Sequence, residues 1–439
     1  MKSVRDGMSH SSRERDEAKN LPVVVDTILN TDKNVFLTGK AGTGKSTLLK
    51  HIRSVCRKNM AVLAPTGVAA LNVEGQTIHK FFGFYIDVTV SSIQRGRFKP
   101  KSPAKQRLMK SLELLVIDEI SMVRADMIDC IDEYLSKYGP KPGEPFGGVQ
   151  LLFIGDLYQL PPIVKHSEQK IFEKLYKTPY FFSALAMKTA PMETIELTKV
   201  YRQSDQEFID VLNNIRSGQH SDKDIKILNT RLNSKFTFGK DNPHMILTTT
   251  NAVAEKVNAH CLNELKTPII SSQARITGEV TKDYYPTDEA LKFKVEAQIM
   301  LINNDSEGHW VNGSIGIIEN ASENVIEVKL DSGKTVFVGK HEWKVYKFEL
   351  NKYNKIEAKE IGSFKQFPFK LGWAITIHKS QGKTFEKVLL DIGSGAFATG
   401  QLYVGLSRCT SLQGLVLRKP IESEHVIVDK DIVKFVEDK

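Results

Sequence analysis

Gly39 to Thr47 reads GKAGTGKST, and no other stretch limits so sharply what the chain can become. Gly39, Lys40, Ala41, Gly42, Thr43 and Gly44 are followed by Lys45, Ser46 and Thr47, the spacing of a phosphate-cradling loop. The apolar run Val35-Phe36-Leu37 precedes it, and a helical segment from Thr47 to Cys56 follows, so the local order is strand, loop, helix. Glycines allow backbone angles that turn several amide hydrogens toward one anion, and the helix N-terminus adds partial positive charge. Lys45 is then suited to the β- and γ-phosphates of a bound nucleotide, and the Ser46 hydroxyl to magnesium. A glycine-rich turn alone would say little; the flanking strand and helix give it weight.

Such a loop needs a sheet behind it, and 439 residues exceed the ~250 to 300 at which single cores stop growing. Two or more domains are expected. The hydrophobic share of 41% and charged share of 26% are ordinary for a globular chain. A formal charge of +9 favours a polyanionic partner, although solubility alone would also account for it. Cys56, Cys130, Cys261 and Cys409 lie far apart without a CxxC pair, which argues against a zinc site or disulfide framework. No apolar run approaches the ~18 to 20 residues needed to cross a bilayer, and the first twenty residues lack a signal-peptide core. The expectation is an intracellular protein without a membrane segment, in a bacterial cytoplasm and associated with the nucleoid.

Residues 1–19 mix charges with Ser and Gly and read as a disordered leader; Asn20 to Leu29 reads as a short helix, with Asn20 a candidate purine contact. A strand from Ala61 to Ala64 ends in Pro65-Thr66-Gly67, where a hydroxyl and amides can meet a phosphate, as in many plain strand-to-helix turns. His79 follows in Thr77 to Phe82. Ser91 to Ser111 holds seven Lys or Arg residues and no acid, with Phe98 among Arg95, Arg97 and Lys99. A solvated face would look the same, but cations around an aromatic also suit backbone neutralisation with base stacking.

The buried strand Leu112 to Ile117 delivers Asp118 and Glu119. Downstream of a phosphate loop, Asp118 can hold the metal and Glu119 can deprotonate the attacking water. A third strand, Val149 to Ile154, leads to GDLYQLPP and Gln159, a candidate γ-phosphate sensor. Arg202 follows a short apolar strand in TIELTKVYRQ, where its guanidinium could reach a developing phosphate charge across a cleft. The strand, loop, helix format returns at Met245 to Leu265, with Thr249 and Asn251 at the turn. Alternating segments such as VIEVKL and TVFV, joined at Asp331-Ser332-Gly333, signal an antiparallel insertion between Val295 and Leu350. Lys370 to Gly382, KLGWAITIHKSQG, restores the α/β pattern with Thr376, His378, Ser380 and Gly382, and LYVGLSR then brings Arg408.

The phosphate loop, DEIS, GDLYQLPP, YRQ, TIHKSQG and YVGLSR together resemble superfamily-one helicases of the RecD-like 5′→3′ branch. APTGVAALNVEGQTIHKFF and PFGGVQLLFIGDLYQLPP are similar to the petite-integration-frequency (Pif-type) family in particular. The resemblance runs from about Val35 to Leu417. It implies an α/β fold of two RecA-like P-loop lobes, with ATP and Mg2+ between them and single-stranded DNA across their tops. It implies first-lobe ATP positions at Lys45, Ser46, Asp118, Glu119 and Gln159, cross-cleft arginines at Arg202 and Arg408, and Gly382 near the γ-phosphate. Thr66, His79, Thr249, Thr376, His378 and Ser380, with Gly67 and Asn251 beside them, fall at or near DNA-contacting positions. The basic segment around Arg95 to Lys101 matches a strand-separating wedge, and the β insertion an SH3-like barrel.

The implied layout is a first lobe over residues 20–190 with its wedge at about 84–111. The second lobe covers 191–290 and 363–439 and holds the β insertion at 291–362. The implied function is 5′→3′ ATP-dependent unwinding of forked or structured DNA by a monomer, in replication, repair, recombination or telomere maintenance. An ATPase that remodels nucleic-acid complexes without unwinding would carry the same motifs. No glutamine precedes the phosphate loop, where many relatives use one to read adenine.

Overall fold

The computed structural model describes residues 22–438 except 86, 165, 204, 238–243, 394, 396 and 397. The expected leader and Asn20 lie outside these residues. Six parallel strands build the first sheet: β1 (Asn34–Gly39), β2 (Met60–Ala64), β3 (Gln76–Thr77), β4 (Leu114–Ile117), β5 (Gln150–Ile154) and β6 (Met192–Leu197). Their order is β3-β2-β4-β5-β1-β6. β4 and β5 are buried along their whole length and β1 over all but its first residue. Helices on both faces of a parallel sheet require such continuous apolar runs. The carboxyl ends of β1, β4 and β5 carry the phosphate loop, Asp118-Glu119 and Asp156 to Gln159, the crevice where open parallel sheets bind ligands.

A second parallel sheet takes the order Ala374–Thr376, Met245–Thr248, Val388–Asp391, Leu415–Leu417. Antiparallel elements lie between its strands in sequence. Thr335–Gly339, Val325–Leu330, Ile315–Ala321, Gln298–Leu301 and Phe369–Leu371 form a five-stranded sheet over its own core of Phe293, Ile318, Val328 and Phe369. The turn at Asp331-Ser332-Gly333 is present, with Gly333 at φ +85°. A long ribbon, His341–Leu350 with Ile356–Gln366, extends from this region and also pairs with Arg275–Gly278.

These pairings move the expected boundaries. β6 completes the first sheet, so the first lobe runs past 190 to Leu197. The antiparallel region opens at Ile269–Gln273, which pairs with Ala290–Lys294, and closes at Phe369–Leu371, wider than 291–362. The C-terminal helix Lys430–Glu437 returns to the first lobe, where Ile432 joins the core and Phe435 stacks on Phe182 at 4.2 Å between ring centroids. Each segment follows its apolar face to the nearest open core, and alternation within the segment does not reveal which core that is.

The basic stretch folds as two short helices, Val90–Gln94 and Pro103–Lys110, capped by the Thr89 and Ser102 hydroxyls. Phe98 is 5% exposed and packs edge-on against Phe84 at 5.5 Å. The expected stacking ring is therefore a core anchor of its segment, because joining the Phe82, Phe84 and Tyr134 cluster removes its apolar area from water.

Candidate functional site: a nucleotide cleft between two lobes

A cleft of about 1710 Å3 opens between the sheets. Its floor is the phosphate loop. Gly42 and Gly44 take φ of +81° and +84°, and Gly44 N-caps the helix Lys45–Val55, which starts two residues before the expected Thr47. Side chains would strain both positions, and at Gly42 a Cβ would lie 2.5 Å from the Arg202 Cβ. Lys45 reaches back over the loop, donating to the Gly39 carbonyl at 2.6 Å and the Lys40 carbonyl at 2.9 Å. Burial lowers its pKa, although the carboxylates of Asp156 and Glu119 oppose that. A half-buried ammonium whose hydrogen bonds among the described residues go to carbonyls is suited to an arriving polyphosphate.

Asp118 and Glu119 stand at the end of β4. Burial, then the neighbouring Glu119 charge, pushes Asp118 up to about 7, and burial raises Glu119 as well. An acid that resists carrying a lone charge fits a cation ligand, and the exposed Ser46, in the first turn of the helix Lys45–Val55, lines the same cleft. These residues fit Mg2+. Glu119 also has φ +53°, a strained backbone of the kind that costs ~1 to 3 kcal/mol and clusters at functional sites.

The second lobe faces this floor. Gln381 donates its amide to Glu119 Oε2 at 3.1 Å and to Gln159 Oε1 at 3.3 Å. Arg202 and Arg408 both line the cleft. In this arrangement Arg202 donates to the Ser407 carbonyl at 3.3 Å. Arg408 donates to the Val404 carbonyl at 3.0 Å and to Ser407 Oγ at 2.8 Å. Burial, then the like charge of Arg202, pushes Arg408 down to about 9. Gly382, at φ +77°, is exposed on the same wall.

The expected DNA positions divide. Thr249 and His378 are half-buried and Asn251 exposed, whereas Thr376 is buried and its Oγ1 accepts from the Lys379 amide at 3.2 Å. Ser380 is 0% exposed, its hydroxyl donating to the Ile377 carbonyl at 2.6 Å. Neither offers its hydroxyl to a strand, because each satisfies the turn that shapes TIHKSQG. On the first lobe, Thr66 caps the helix Gly67–Asn72 and His79 is half-buried. Gly67 packs directly under the Asp283 carbonyl. Arg95 and Lys99 are exposed, and Arg97 pairs with Asp87 at 2.9 Å.

Sequence reasoning missed four residues. Asp156 accepts from Arg216 at 3.0 Å, from Gln159 at 3.3 Å and from the Tyr403 hydroxyl at 3.4 Å. That hydroxyl accepts in turn from the Ala41 amide of the phosphate loop at 3.0 Å. Arg216 also stacks over Tyr158 at 4.4 Å. A signal for Arg216 existed: with Phe208, Val211, Leu212 and Ile215 it continues the apolar stripe of the helix Gln206–Ser217. Gln381 and Tyr403 carried no such signal.

Comparison with known proteins adds a family, relatives and solved structures. A model of the PIF1-like helicase family matches residues 14–226. The ATP-dependent DNA helicase Pif1 of Bdellovibrio bacteriovorus is 32% identical over 414 residues, covering 93% of this chain and 89% of that protein. Vertebrate PIF1 helicases are longer, and the chain spans 57% to 60% of their length. Among solved structures, Bacteroides sp Pif1 in complex with ADP-AlF4 has a TM-score of 0.88 at 38% identity over 96% of both chains. Bacteroides Pif1 bound to ssDNA has 0.68 at 39% identity and the same coverage.

Proposed function

The chain belongs to the PIF1-like helicase family, and we propose that it is an ATP-dependent DNA helicase that moves 5′→3′ along single-stranded DNA and separates forked or structured duplexes. The carrying observation is the cleft in which the phosphate loop and Glu119 of one RecA-like lobe meet Gln381, Arg202 and Arg408 of the other. ATP binds with its phosphates along Lys40 to Thr47, and the exposed Tyr201 ring beside the loop offers a platform for the base. Ser46 and Asp118 would hold Mg2+, which would supply charge neutralisation for the phosphates. Glu119 takes a proton from the attacking water. Arg202 and Arg408 leave their carbonyl partners for the γ-phosphate as the lobes close, and hydrolysis releases them. Gln159 and Gly382 line the same reaction centre.

Each closure advances one lobe along the strand through Thr66, His79, Thr249, Asn251 and His378, with Arg95, Arg97 and Lys99 at the duplex junction. Contacts of this kind go to the backbone, so stepping is largely independent of sequence. We read the five-stranded sheet as the SH3-like insertion and the working unit as a monomer. Among the described residues no helix is long and apolar enough to cross a membrane. Arg202→Ala and Arg408→Ala test the mechanism: each is expected to bind ATP yet lose ~10³ to 10⁵ in DNA-stimulated turnover. Near-normal hydrolysis in either removes that arginine from the reaction.

A further inference from the structure

Gln381 sits in TIHKSQG between two fixed neighbours, Ser380 with its hydroxyl bonded into the turn and Gly382 in the left-handed region. Its amide nitrogen faces two acceptors, Glu119 Oε2 and Gln159 Oε1. Two acceptors require a donor, so the orientation of this amide is set by its chemistry. The carbonyl oxygen is then left over. Gln381 Oε1 is buried and has no hydrogen-bond partner among the described residues. A buried acceptor without a donor costs ~1 to 3 kcal/mol, and this one lies on the side chain that holds Glu119.

We propose that Gln381 is the second-lobe positioning residue for hydrolysis, its NH2 fixing the Glu119 carboxylate while its carbonyl oxygen accepts a hydrogen bond from the attacking water. The water oxygen bonds to the γ-phosphorus as the bridging bond to the β-phosphate breaks, its electron pair leaving with ADP. One water proton passes to Glu119. The other stays on the new phosphate, hydrogen-bonded to Gln381 Oε1 during attack. Because Gln381 belongs to the moving lobe, an open cleft leaves the base unaligned, which ties water activation to closure. The inference rests on Glu119 being the base.

The test compares wild type, Glu119→Gln, Gln381→Ala and Gln381→Glu for turnover and KM in ATP hydrolysis stimulated by oligo-dT, and for oligo-dT affinity by fluorescence anisotropy. Gln381→Glu keeps the shape but sets a third acceptor against two others. Both Gln381 variants are expected to lose about 10²-fold in kcat, with KM and oligo-dT affinity moving by no more than about threefold. Gln381→Glu with wild-type kcat overturns the inference. So does a KM or DNA-affinity change as large as the change in kcat, the mark of a merely structural side chain. If Glu119→Gln is inactive while both Gln381 variants are active, only this inference fails; if Glu119→Gln turns over normally, the base assignment fails with it.

Discussion

Arg216 and Asp156 have side chains 10% and 0% exposed, so neither charge can turn to water if its partner is lost. Arg216→Met strands the Asp156 carboxylate and is expected to cost about 3 to 5 kcal/mol in stability, read by denaturant unfolding. Adding Asp156→Asn should recover part of that loss; strict additivity would mean the pair is not coupled. Glu119→Gln tests a different property, since amide and carboxylate share a shape. ATP affinity should hold while turnover falls about 10² to 10⁴-fold, and unimpaired turnover would remove Glu119 as the base. Residues whose place in the cleft follows from local order were legible in sequence: Lys45 after its glycines, Asp118 and Glu119 after an apolar strand. Gln381 was not, because its partners lie 262 and 222 positions away and only the fold brings them together.

Among elements, the ribbon and the loop carrying Lys282–Tyr284 cover the surface of the first lobe beside Thr66 and Gly67, where the proposed function puts the strand. Tyr284 is 1% exposed among Ala64, Ala70 and Val345, its hydroxyl accepts from the Thr77 amide at 3.3 Å, and the adjacent Asp283 carbonyl covers Gly67. Phe348 extends the contact, its amide donating to Gln76 Oε1 at 3.2 Å. Tyr284→Ala should loosen this docking and tighten oligo-dT binding about tenfold, equivalent to about 1.4 kcal/mol; unchanged anisotropy would mean the loop does not limit access.

In the basic segment, Lys105 donates to the Phe81 carbonyl and lies over that ring at 4.3 Å. Burial, then the like charge of Lys347, pushes its pKa from the usual 10.5 down to about 7. Between those values the unfolded chain binds the extra proton, so stability on this account rises with pH from about 7 to 10.5. Lys105→Met should therefore gain most in melting temperature over wild type at pH 7, and the gain should shrink toward pH 10. A pH-independent difference would contradict a buried cation. The cations of this segment were legible, but the burial of Phe98 was not, since aromatic stacking on a base and on a core call for the same residue.

For the whole molecule, two parallel sheets face each other across one cleft, and the chain crosses between them at Leu197 and again through its last helix. The α/β class was legible because buried parallel strands leave a strong pattern, whereas the two-lobe plan came from the family resemblance. The extent of the antiparallel region and the return of the tail depended on long-range packing. The most direct test of an ATP-driven 5′→3′ helicase is unwinding of two matched duplexes, one with a 5′ single-stranded tail and one with a 3′ tail, using Lys45→Ala as control. The account predicts strand separation from the 5′ tail only, abolished in the control. ATP hydrolysis without strand separation, or unwinding from the 3′ tail, would contradict it.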